Sequence, residues 1–314
     1  MPQIIGPNWK LETEAANWEP RDSCAEYVFD NHMWIMGGWF DRLEPNPRDV
    51  WKSPNGKDWE KVCQEAPWEK SDLPAFCVFQ NQMIHMGGRS LPGTECSNEV
   101  YATTDGANWN CLTHDAGWRP RLGGAAIEFN GKLWLFGGTA SFYEYTDETL
   151  MNDIWSSPDG INWSCESESA PWSARAYHKA VEFNNALYLI GGGAWEGNIN
   201  NDVWRSEDGV NWACIQDSAA FSPRIWHGVE VYRDHIWVLA GDEVLNGRSA
   251  NVRNDVWFSK DGIHWQELKS ETIFSERHEV STWVFDNKLF LGAGHALPLS
   301  NEVWCLSLPT DFGQ

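Results

Sequence analysis

Arginine recurs at one equivalent place along the chain, and its planar guanidinium can bind a carboxylate through two parallel hydrogen bonds. The recurring residues are Arg21, Arg121, Arg175, Arg224 and Arg277, with Ser71 at the same place in a further unit. Acidic residues recur as well, namely Asp49, Glu99, Asp153, Asp202, Asp255 and Glu302. Two interpretations stay open. Each arginine pairs with an acid of the fold, which the recurrence of both sets favours, or the arginines together bind a carboxylate ligand.

Histidines close to these arginines could transfer protons or bind a metal. His178 and His227 each follow an arginine by three residues, and His278 follows the last arginine directly. His227, His278 and the adjacent Glu279 are therefore candidate catalytic groups. His178, His227 and His295 are candidate ligands for Zn or Fe. A packing role is favoured for the first two, so no cofactor is predicted, and a metal at the mouth of a central funnel is kept as the alternative.

The charge and hydropathy of the chain narrow the classes of partner. The formal net charge is -22 at pH 7, so neither nucleic acid nor an anionic membrane surface is an expected partner, since both are polyanions. No apolar run approaches the roughly 18 residues of a membrane span. The stretch from Met1 to Gly6 lacks a basic segment followed by an apolar run, so no signal peptide is expected and a cytoplasmic location is predicted.

Two landmarks repeat in step along the chain. One is a glycine that ends an apolar run, at Gly38, Gly88, Gly138, Gly192, Gly241 and Gly294. The other is a tryptophan after an Asp-Gly-like turn, at Trp9, Trp59, Trp109, Trp163, Trp212 and Trp265. Both series advance in identical steps of about 50 residues, and a period of that size is typical of propeller blades.

Each unit contains four short β-strand patterns. In the third unit they are Ala125–Phe129, Lys132–Phe136, Asp153–Ser157 and a strand around Trp163. Asn-Gly and Asp-Gly turns favour tight hairpins between the strands, and no helical period competes. The pattern predicts an all-β, six-bladed propeller with four antiparallel strands per blade.

The last unit lacks its fourth strand, and the N-terminal segment around Trp9 has the missing sequence. It is therefore predicted to complete the last blade and close the ring, which removes free sheet edges. The whole chain, 1–314, is then one domain. Its units are 18–67, 68–117, 118–171, 172–220, 221–273 and 274–308, the last completed by 1–17.

The hairpin turns must share one face of the propeller, and the long, variable loops must share the other, called the loop face. Binding residues concentrate on such loops. The loop face collects the arginines and several aromatic residues outside the repeat pattern. The predicted ligand-binding aromatics are Trp39, Phe40, Tyr143, Tyr145, Tyr177, Trp195 and Trp226, with Phe142 nearby.

Paired glycines and a downstream aromatic residue resemble a known family. The pairs are Gly37 and Gly38, Gly87 and Gly88, Gly137 and Gly138, and Gly191 and Gly192. The aromatic residues are Trp51, Tyr101, Trp155, Trp204, Trp257 and Trp304. In these features the chain resembles the kelch-repeat β-propellers over essentially its whole length. It departs from them at Ala240 and Ala293, where the first glycine of the pair is replaced.

The resemblance implies two kinds of function. Kelch propellers are often interaction domains, so the leading expectation is binding of an anionic small molecule, a peptide or a protein in the central funnel. The alternative is an enzyme of mutarotase, isomerase or lyase type, with or without a metal, acting there on a small carboxylated or sugar substrate. The nearest enzymes are the bacterial kelch mutarotases for N-acetylneuraminate. By that analogy arginine would fix the carboxylate, and His227, His278 or Glu279 would exchange protons.

Overall fold

The computed structural model describes residues 3–41, 45–245, 247–310 and 312. The stretch from Met1 to Gly6, interpreted above as lacking a signal peptide, lies only partly within them, because Met1 and Pro2 are outside. The described residues form β-strands, turns and loops, without a helix. No apolar helix of membrane-spanning length is therefore present in these ranges.

The strands form six four-stranded antiparallel blades arranged in a ring, so the predicted six-bladed β-propeller is confirmed. The first two strands are β1 (Gln3–Ile5) and β2 (Lys10–Thr13). Blade 1 is β3 (Ala25–Phe29), β4 (His32–Met36), β5 (Val50–Ser53) and β6 (Glu60–Cys63). Blade 2 is β7 (Ala75–Phe79), β8 (Gln82–Met86), β9 (Val100–Thr103) and β10 (Asn110–Thr113). Blade 3 is β11 (Ala125–Phe129), β12 (Lys132–Thr139), β13 (Leu150–Ser157) and β14 (Ser164–Ser167).

The second half of the chain continues the pattern with one insertion. Blade 4 is β15 (Lys179–Phe183), β16 (Ala186–Ile190), β17 (Val203–Ser206) and β18 (Trp212–Gln216). Blade 5 starts with β19 (Gly228–Tyr232) and β20 (His235–Leu239), and its loop forms a separate hairpin of β21 (Asp242–Val244) and β22 (Ser249–Val252). Blade 5 ends with β23 (Val256–Ser259) and β24 (Trp265–Lys269). Blade 6 contains β25 (Ser281–Phe285), β26 (Lys288–Gly292) and β27 (Val303–Leu306).

The N-terminal segment closes the ring as predicted. Strand β2 pairs antiparallel with β27, with Lys10 opposite Cys305 and Leu11 opposite Trp304. Strand β1 was not predicted, and it pairs in parallel with β24, so blade 5 has a fifth strand. The outer edge of β24 would otherwise present a row of unpaired backbone groups, which β1 covers.

Both kinds of hairpin turn follow from local side-chain chemistry. The turn between the first two strands of each blade has two residues at positive φ, as in a type I′ turn. These residues are Asp30 and Asn31, Gln80 and Asn81, Asn130 and Gly131, Asn184 and Asn185, Arg233 and Asp234, and Asp286 and Asn287. At the other turn of blade 2, Asp105 Oδ1 accepts hydrogen bonds from the backbone N–H groups of Ala107 and Asn108, at 2.9 and 2.7 Å. These bonds lower the pKa of Asp105 to about 2.

Edge-to-face aromatic pairs pack inside every unit. In each pair the aromatic residue that opens the unit meets the tryptophan after the Asp-Gly-like turn, at an interplanar angle between 83° and 89°. The pairs are Trp18 with Trp59, Trp68 with Trp109, Trp118 with Trp163, Trp172 with Trp212, Phe221 with Trp265, and Phe274 with Trp9. Trp9 therefore fills, from the N-terminus, the position that the sixth unit leaves open, and this contact supports the closed ring.

Candidate functional site

The recurring arginines lie inside the scaffold, each at most 1% exposed. Arg224 is representative: its Nη1 donates to Asp255 Oδ1 at 2.6 Å and its Nη2 to Asp255 Oδ2 at 2.9 Å. Arg21, Arg121 and Arg175 pair in the same way with Asp49, Asp153 and Asp202. Arg277 donates through Nη2 to Glu302 Oε2 and through Nη1 to Ser300 Oγ. Burial acts to raise the pKa of Asp255, but hydrogen bonding and the charge of Arg224 outweigh it and hold that pKa below its usual value. The guanidinium groups are thus engaged by acids of the fold.

Two residues after each arginine, or after Ser71 in blade 2, the backbone adopts a positive φ. We call these six residues the collar: Ser23, Leu73, Gly123, Tyr177, Trp226 and Glu279. Backbone hydrogen bonds link neighbouring members, for example from Gly123 N to Leu73 O at 2.9 Å and from Glu279 N to Trp226 O at 2.8 Å. A left-handed conformation costs a non-glycine residue about 1–2 kcal/mol, and such strain concentrates at functional sites.

The collar borders a central chamber of about 350 Å³. The inner strands β3, β7, β11, β15, β19 and β25 form its wall. Inside it, Lys179 Nζ lies 3.7 Å from Glu26 Oε1, and Thr282 Oγ1 donates to Glu230 Oε1 at 2.9 Å. Burial raises the pKa of Glu26 to about 8 and that of Glu230 to about 7. The chamber therefore holds two carboxyl groups that titrate near neutral pH.

Aromatic residues from blades 3, 4 and 5 occupy one half of the chamber's loop-side end, which we call the mouth. The Trp226 ring lies 4.9 Å from Trp195 and 5.3 Å from Tyr177. Phe142 stacks on Trp226 at 6.4 Å, and the hydroxyl groups of Tyr145 and Tyr177 are 2.8 Å apart. The fold thus assembles four of the predicted aromatic residues, with Phe142, into one cluster, the aromatic half of the mouth.

Two other predicted aromatic residues lie outside this cluster, Tyr143 beside the aromatic half and Phe40 between blades 1 and 6. Tyr143 packs edge-on against Phe142 but is 56% exposed. Phe40 borders a shallow depression of the rim with Asp41 and Leu299.

Blades 1 and 6 supply the centre of the opposite, polar half of the mouth. Ser23 Oγ donates to Glu279 Oε1 at 2.7 Å, and Glu279 Oε2 lies 2.9 Å from His278 Nδ1. Burial acts to raise the pKa of Glu279, but the hydrogen bond and charge of His278 hold it below its usual value. Burial, with the nearby charges of Glu279 and Asp72, raises the pKa of Asp22 well above its usual value. Two neighbouring carboxyl groups therefore favour opposite protonation states.

Stacked rings connect the polar half to the aromatic half. His278 stacks on Trp226 at 5.0 Å and on His295 at 5.0 Å. His295 in turn stacks on Trp39 at 6.2 Å, and its Nδ1 lies 3.3 Å from Asp22 Oδ2. The predicted residues Trp39, His278 and His295 thus meet the predicted Trp226 in one continuous row.

Blade 2 adds an ion pair that the sequence interpretation missed. Arg89 Nε donates to Asp72 Oδ2 at 2.6 Å, and the guanidinium lies 3.8 Å from the centre of the Phe142 ring. Burial raises the pKa of Asp72 to about 6, although Arg89 acts in the opposite direction. The mouth residues Asp22, Ser23, Asp72 and Arg89 were all missed. They could have been found as departures from the repeat. Ser23 and Arg89 occupy positions at which every blade carries a different residue, and Asp22 and Asp72 share a position that carries Leu, Ala, Ile or His in the other blades.

His178 and His227 lie buried in the chamber wall, at equivalent positions of neighbouring blades. His178 Nε2 is 3.1 Å from the carbonyl oxygen of Phe136, and His227 is fully buried. Burial lowers the pKa of His178 to about 3 and that of His227 well below its usual value. The third predicted metal ligand, His295, lies in the row at the mouth. Within the described ranges, no group of three or more His, Cys, Asp and Glu side chains is arranged to hold a metal ion.

Comparisons with known proteins agree on the fold. A family model described as the DUF6242 beta propeller domain matches residues 173–305. A solved structure titled "Structure of YjhT" superposes with a TM-score of 0.73 at 15% sequence identity, covering 96% of this chain and 98% of that chain. No curated protein matches the chain in sequence. The chain shares the β-propeller fold. At this level of identity the comparison extends to the fold alone, and the kelch assignment stays a prediction.

The mouth of this propeller combines two chemical capacities. Its aromatic half offers ring faces and edges for stacking against a flat or apolar part of a ligand. Its polar half offers buried carboxyl, imidazole and hydroxyl groups that can hydrogen-bond to polar substituents or exchange protons. Both halves meet at Trp226, so one small molecule could contact them together.

Proposed function

We propose that this propeller binds a small polar organic molecule at the mouth of its central chamber. The observation that carries the proposal is the collar: one backbone position repeats in all six blades with positive φ, yet its side chains are a serine, a leucine, a glycine, a tyrosine, a tryptophan and a glutamate. A position with a purely architectural role would carry the same residue in each blade, as the arginine position nearly does. Variation around a concave chamber is typical of a ligand site.

The charges of the mouth support an uncharged or positively charged ligand over the expected anion. That expectation depended on available arginines, but all five are bonded to acids. Asp22, Asp72 and Glu279 lie in the mouth, and the guanidinium of Arg89 there is bonded to Asp72. The carboxyl groups of these acids would repel an anionic ligand. Aromatic faces beside hydrogen-bonding groups suit a sugar ring or an amine.

Substitution in the aromatic half tests the proposal. Trp195→Ala removes a ring 4.9 Å from Trp226, and we expect it to weaken ligand binding roughly tenfold, because an aromatic contact contributes about 0.5–1.5 kcal/mol beyond area burial. Tyr143→Ala is the matched control, since that ring is 56% exposed, and its affinity should stay near wild type. The measurement is calorimetric titration with hits from a thermal-shift screen of neutral sugars, sugar acids and amino sugars. Failure of every compound to bind, or binding that ignores Trp195, would contradict the proposal.

A second candidate function is proton-transfer catalysis on a sugar, the enzyme alternative of the sequence interpretation. It is favoured by the opposite pKa shifts of Asp22 and Glu279, because an acid and base pair is recognised by environments that drive two pKa values apart. In anomer interconversion, Glu279 would remove the proton of the anomeric hydroxyl while Asp22 protonates the ring oxygen. The bond between C1 and the ring oxygen then breaks, and reclosure reverses both transfers.

The catalytic candidate has its own measurement. Asp22→Asn and Glu279→Gln should each lower the rate of anomer interconversion, followed by polarimetry or NMR, by about 10²-fold or more. His227→Gln is the comparison variant, because His227 is fully buried in the wall, and the rate should stay close to wild type. Interconversion no faster than in buffer, for all sugars that bind, would leave binding as the function.

A further inference from the structure

Asp242 is a buried acid with unmet bonding capacity beside the mouth, where its charge acts on the mouth residue His295. It directly follows the second glycine of its blade, where blades 1, 2 and 6 have Trp39, Arg89 and His295, three side chains that contact the mouth. Its backbone pairs with Ile225, next to the collar residue Trp226. Asp242 is 0% exposed, and neither oxygen of its carboxyl group has a hydrogen-bond partner among the described residues. Burial of a carboxylate without a partner is unfavourable in free energy, so we expect Asp242 to bind a cation or a hydrogen-bond donor.

Two basic residues of this region that the structure describes are bonded to other acids. On the same hairpin Arg253 Nε donates to Glu243 Oε1 at 2.8 Å. Across the mouth, Arg89 is bonded to Asp72. The charge of Asp242 acts to raise the pKa of His295, but burial and the neighbouring His278 outweigh it and lower that pKa. His295 is therefore not a permanent cation.

The mouth around Asp242 has the composition of a site for a cation. The carboxyl groups of Asp22, Asp72, Asp242 and Glu279 come from four different blades and lie at or beside the mouth. Among the described residues, the guanidinium that contacts the mouth is that of Arg89, and it is bonded to Asp72. The adjoining aromatic half ends at Trp226, whose indole N–H is buried and also lacks a partner among the described residues. Ring faces attract an ammonium group through their quadrupole, and carboxylates bind it by charge-assisted hydrogen bonds.

We propose that the ligand of the mouth carries an ammonium group and that Asp242 is its counter-charge. The inference rests on the proposed binding function and narrows it to amine-bearing molecules such as amino sugars. In the complex the ammonium group donates hydrogen bonds to the Asp242 carboxylate, while the rest of the molecule lies against the aromatic half. An acetylated or hydroxylated analogue lacks the positive charge, so it offers the buried carboxylate only a weaker, neutral hydrogen bond.

Three sugars that differ at one substituent test the charge requirement: glucosamine, N-acetylglucosamine and glucose. Ethylammonium serves as the smallest probe. We expect wild-type protein to bind glucosamine or ethylammonium at least about tenfold more tightly than the two neutral sugars. Asp242→Asn should remove this preference while neutral-sugar affinity stays the same. Glu243→Gln, a neighbouring acid that is bonded to Arg253, is the matched control and should keep the preference. Calorimetric titration measures each affinity.

The free protein gives a second readout. If Asp242 lacks a partner, Asp242→Asn should raise the Tm of the free protein by about 2 °C or more, because it removes an uncompensated buried charge. A lower Tm would mean that the protein itself supplies the partner, and it would overturn the inference. Equal affinity for ammonium and neutral probes, or a preference that survives Asp242→Asn, would overturn it as well. If ammonium and neutral probes bind equally well but binding still depends on Trp195, the proposed function remains supported. If no probe binds at all, both the proposed function and the inference about Asp242 are contradicted.

Discussion

The arginine ring and the collar follow the same six-blade period and are only two residues apart, yet their side chains differ in variability and in their contacts. The arginine ring repeats one residue type in five blades, and each guanidinium is buried and bonded to an acid. The collar repeats only a backbone conformation, and its six side chains are all different. The arginines join the second and third strands of a blade to the chain that precedes its first strand. Collar residues instead surround a chamber. Repetition of side chains therefore marks the scaffold, and variation on a repeated backbone marks the site.

Removing an arginine tests most directly whether the arginine ring belongs to the scaffold. Arg224→Met leaves the partly buried Asp255 without its partner, and we expect a loss of about 3–5 kcal/mol in the free energy of unfolding, measured by urea denaturation. The double variant Arg224→Met with Asp255→Leu should recover much of that loss, because no charge is left unpaired. Ligand affinity of the folded double variant should match wild type. Lost affinity with unchanged stability would assign the arginine ring to the ligand instead.

Tryptophans at repeat positions should contribute mainly to stability, whereas tryptophans outside the repeat should contribute mainly to ligand binding. Trp172→Ala removes a buried ring that packs 4.9 Å from Trp212, and we expect a cost of about 3–5 kcal/mol in unfolding free energy. Trp39→Ala removes a partly exposed ring that stacks on His295 at 6.2 Å, and we expect a cost of no more than about 1.5 kcal/mol. The second variant should weaken ligand binding more than it weakens the fold. Similar stability losses would erase the distinction between the two classes.

A glycine pair tests whether the collar backbone and the Tyr177 ring are coupled. In Gly123→Ala the new Cβ would meet Tyr177 ring atoms at 2.7 Å, at a φ of 62°. Gly131→Ala meets a similar φ of 72° with nothing within 4 Å. We expect about 1 kcal/mol of destabilisation at Gly131 and about 1–3 kcal/mol at Gly123, from denaturation curves. Only Gly123→Ala should alter ligand affinity. Equal costs would mean that the collar adjusts without moving Tyr177.

Acids of the chamber and of the scaffold turns should give opposite dependences of stability on pH. Glu230 has a pKa raised by burial to about 7, so its protonated form favours folding. The stability it contributes is present at low pH and declines as pH rises towards 7, by up to about 1.4 kcal/mol per pH unit. Glu230→Gln should flatten that decline in denaturation curves recorded from pH 5 to pH 8. An unchanged slope would show that Glu230 titrates normally.

Asp105 should give the opposite dependence of stability on pH. Its hydrogen bonds to Asn108 lower its pKa to about 2, so its contribution is present above its ordinary pKa and is lost as the pH falls towards 2. Asp105→Asn should therefore lower the stability slightly at pH 8 but not near pH 2, so that the loss of stability on acidification is shallower in denaturation curves recorded from pH 8 to pH 2. This is the smallest of the expected effects, because the turn is exposed to solvent.

How far the sequence predicts this molecule depends on how local each feature is. The period, the tight turns after Asn130 and Asp159, and the closing strand around Trp9 follow from nearby side chains or from their repetition. Strand β1 could not be predicted, since its pairing with β24 depends on an edge that exists only after blade 5 has formed. The four-strand pattern predicts a hairpin at Gln80 and Asn81 but not its type I′ geometry, because this turn lacks the glycine that is typical of the type.

By itself the sequence determined the scaffold: six units, their strands, the ring closure and the recurrence of arginine with acid. Those features repeat, so one interpretation covers all copies. Only the tertiary structure decided the site. Ser23 bonds to Glu279 across 256 positions of sequence, and His295 reaches Asp22 across 273. Ring closure makes the first and last blades neighbours, and it joins residues that no local pattern connects. The arginines instead bond to acids of their own blades, 25 to 32 positions away, which leaves the mouth to the residues that break the repeat.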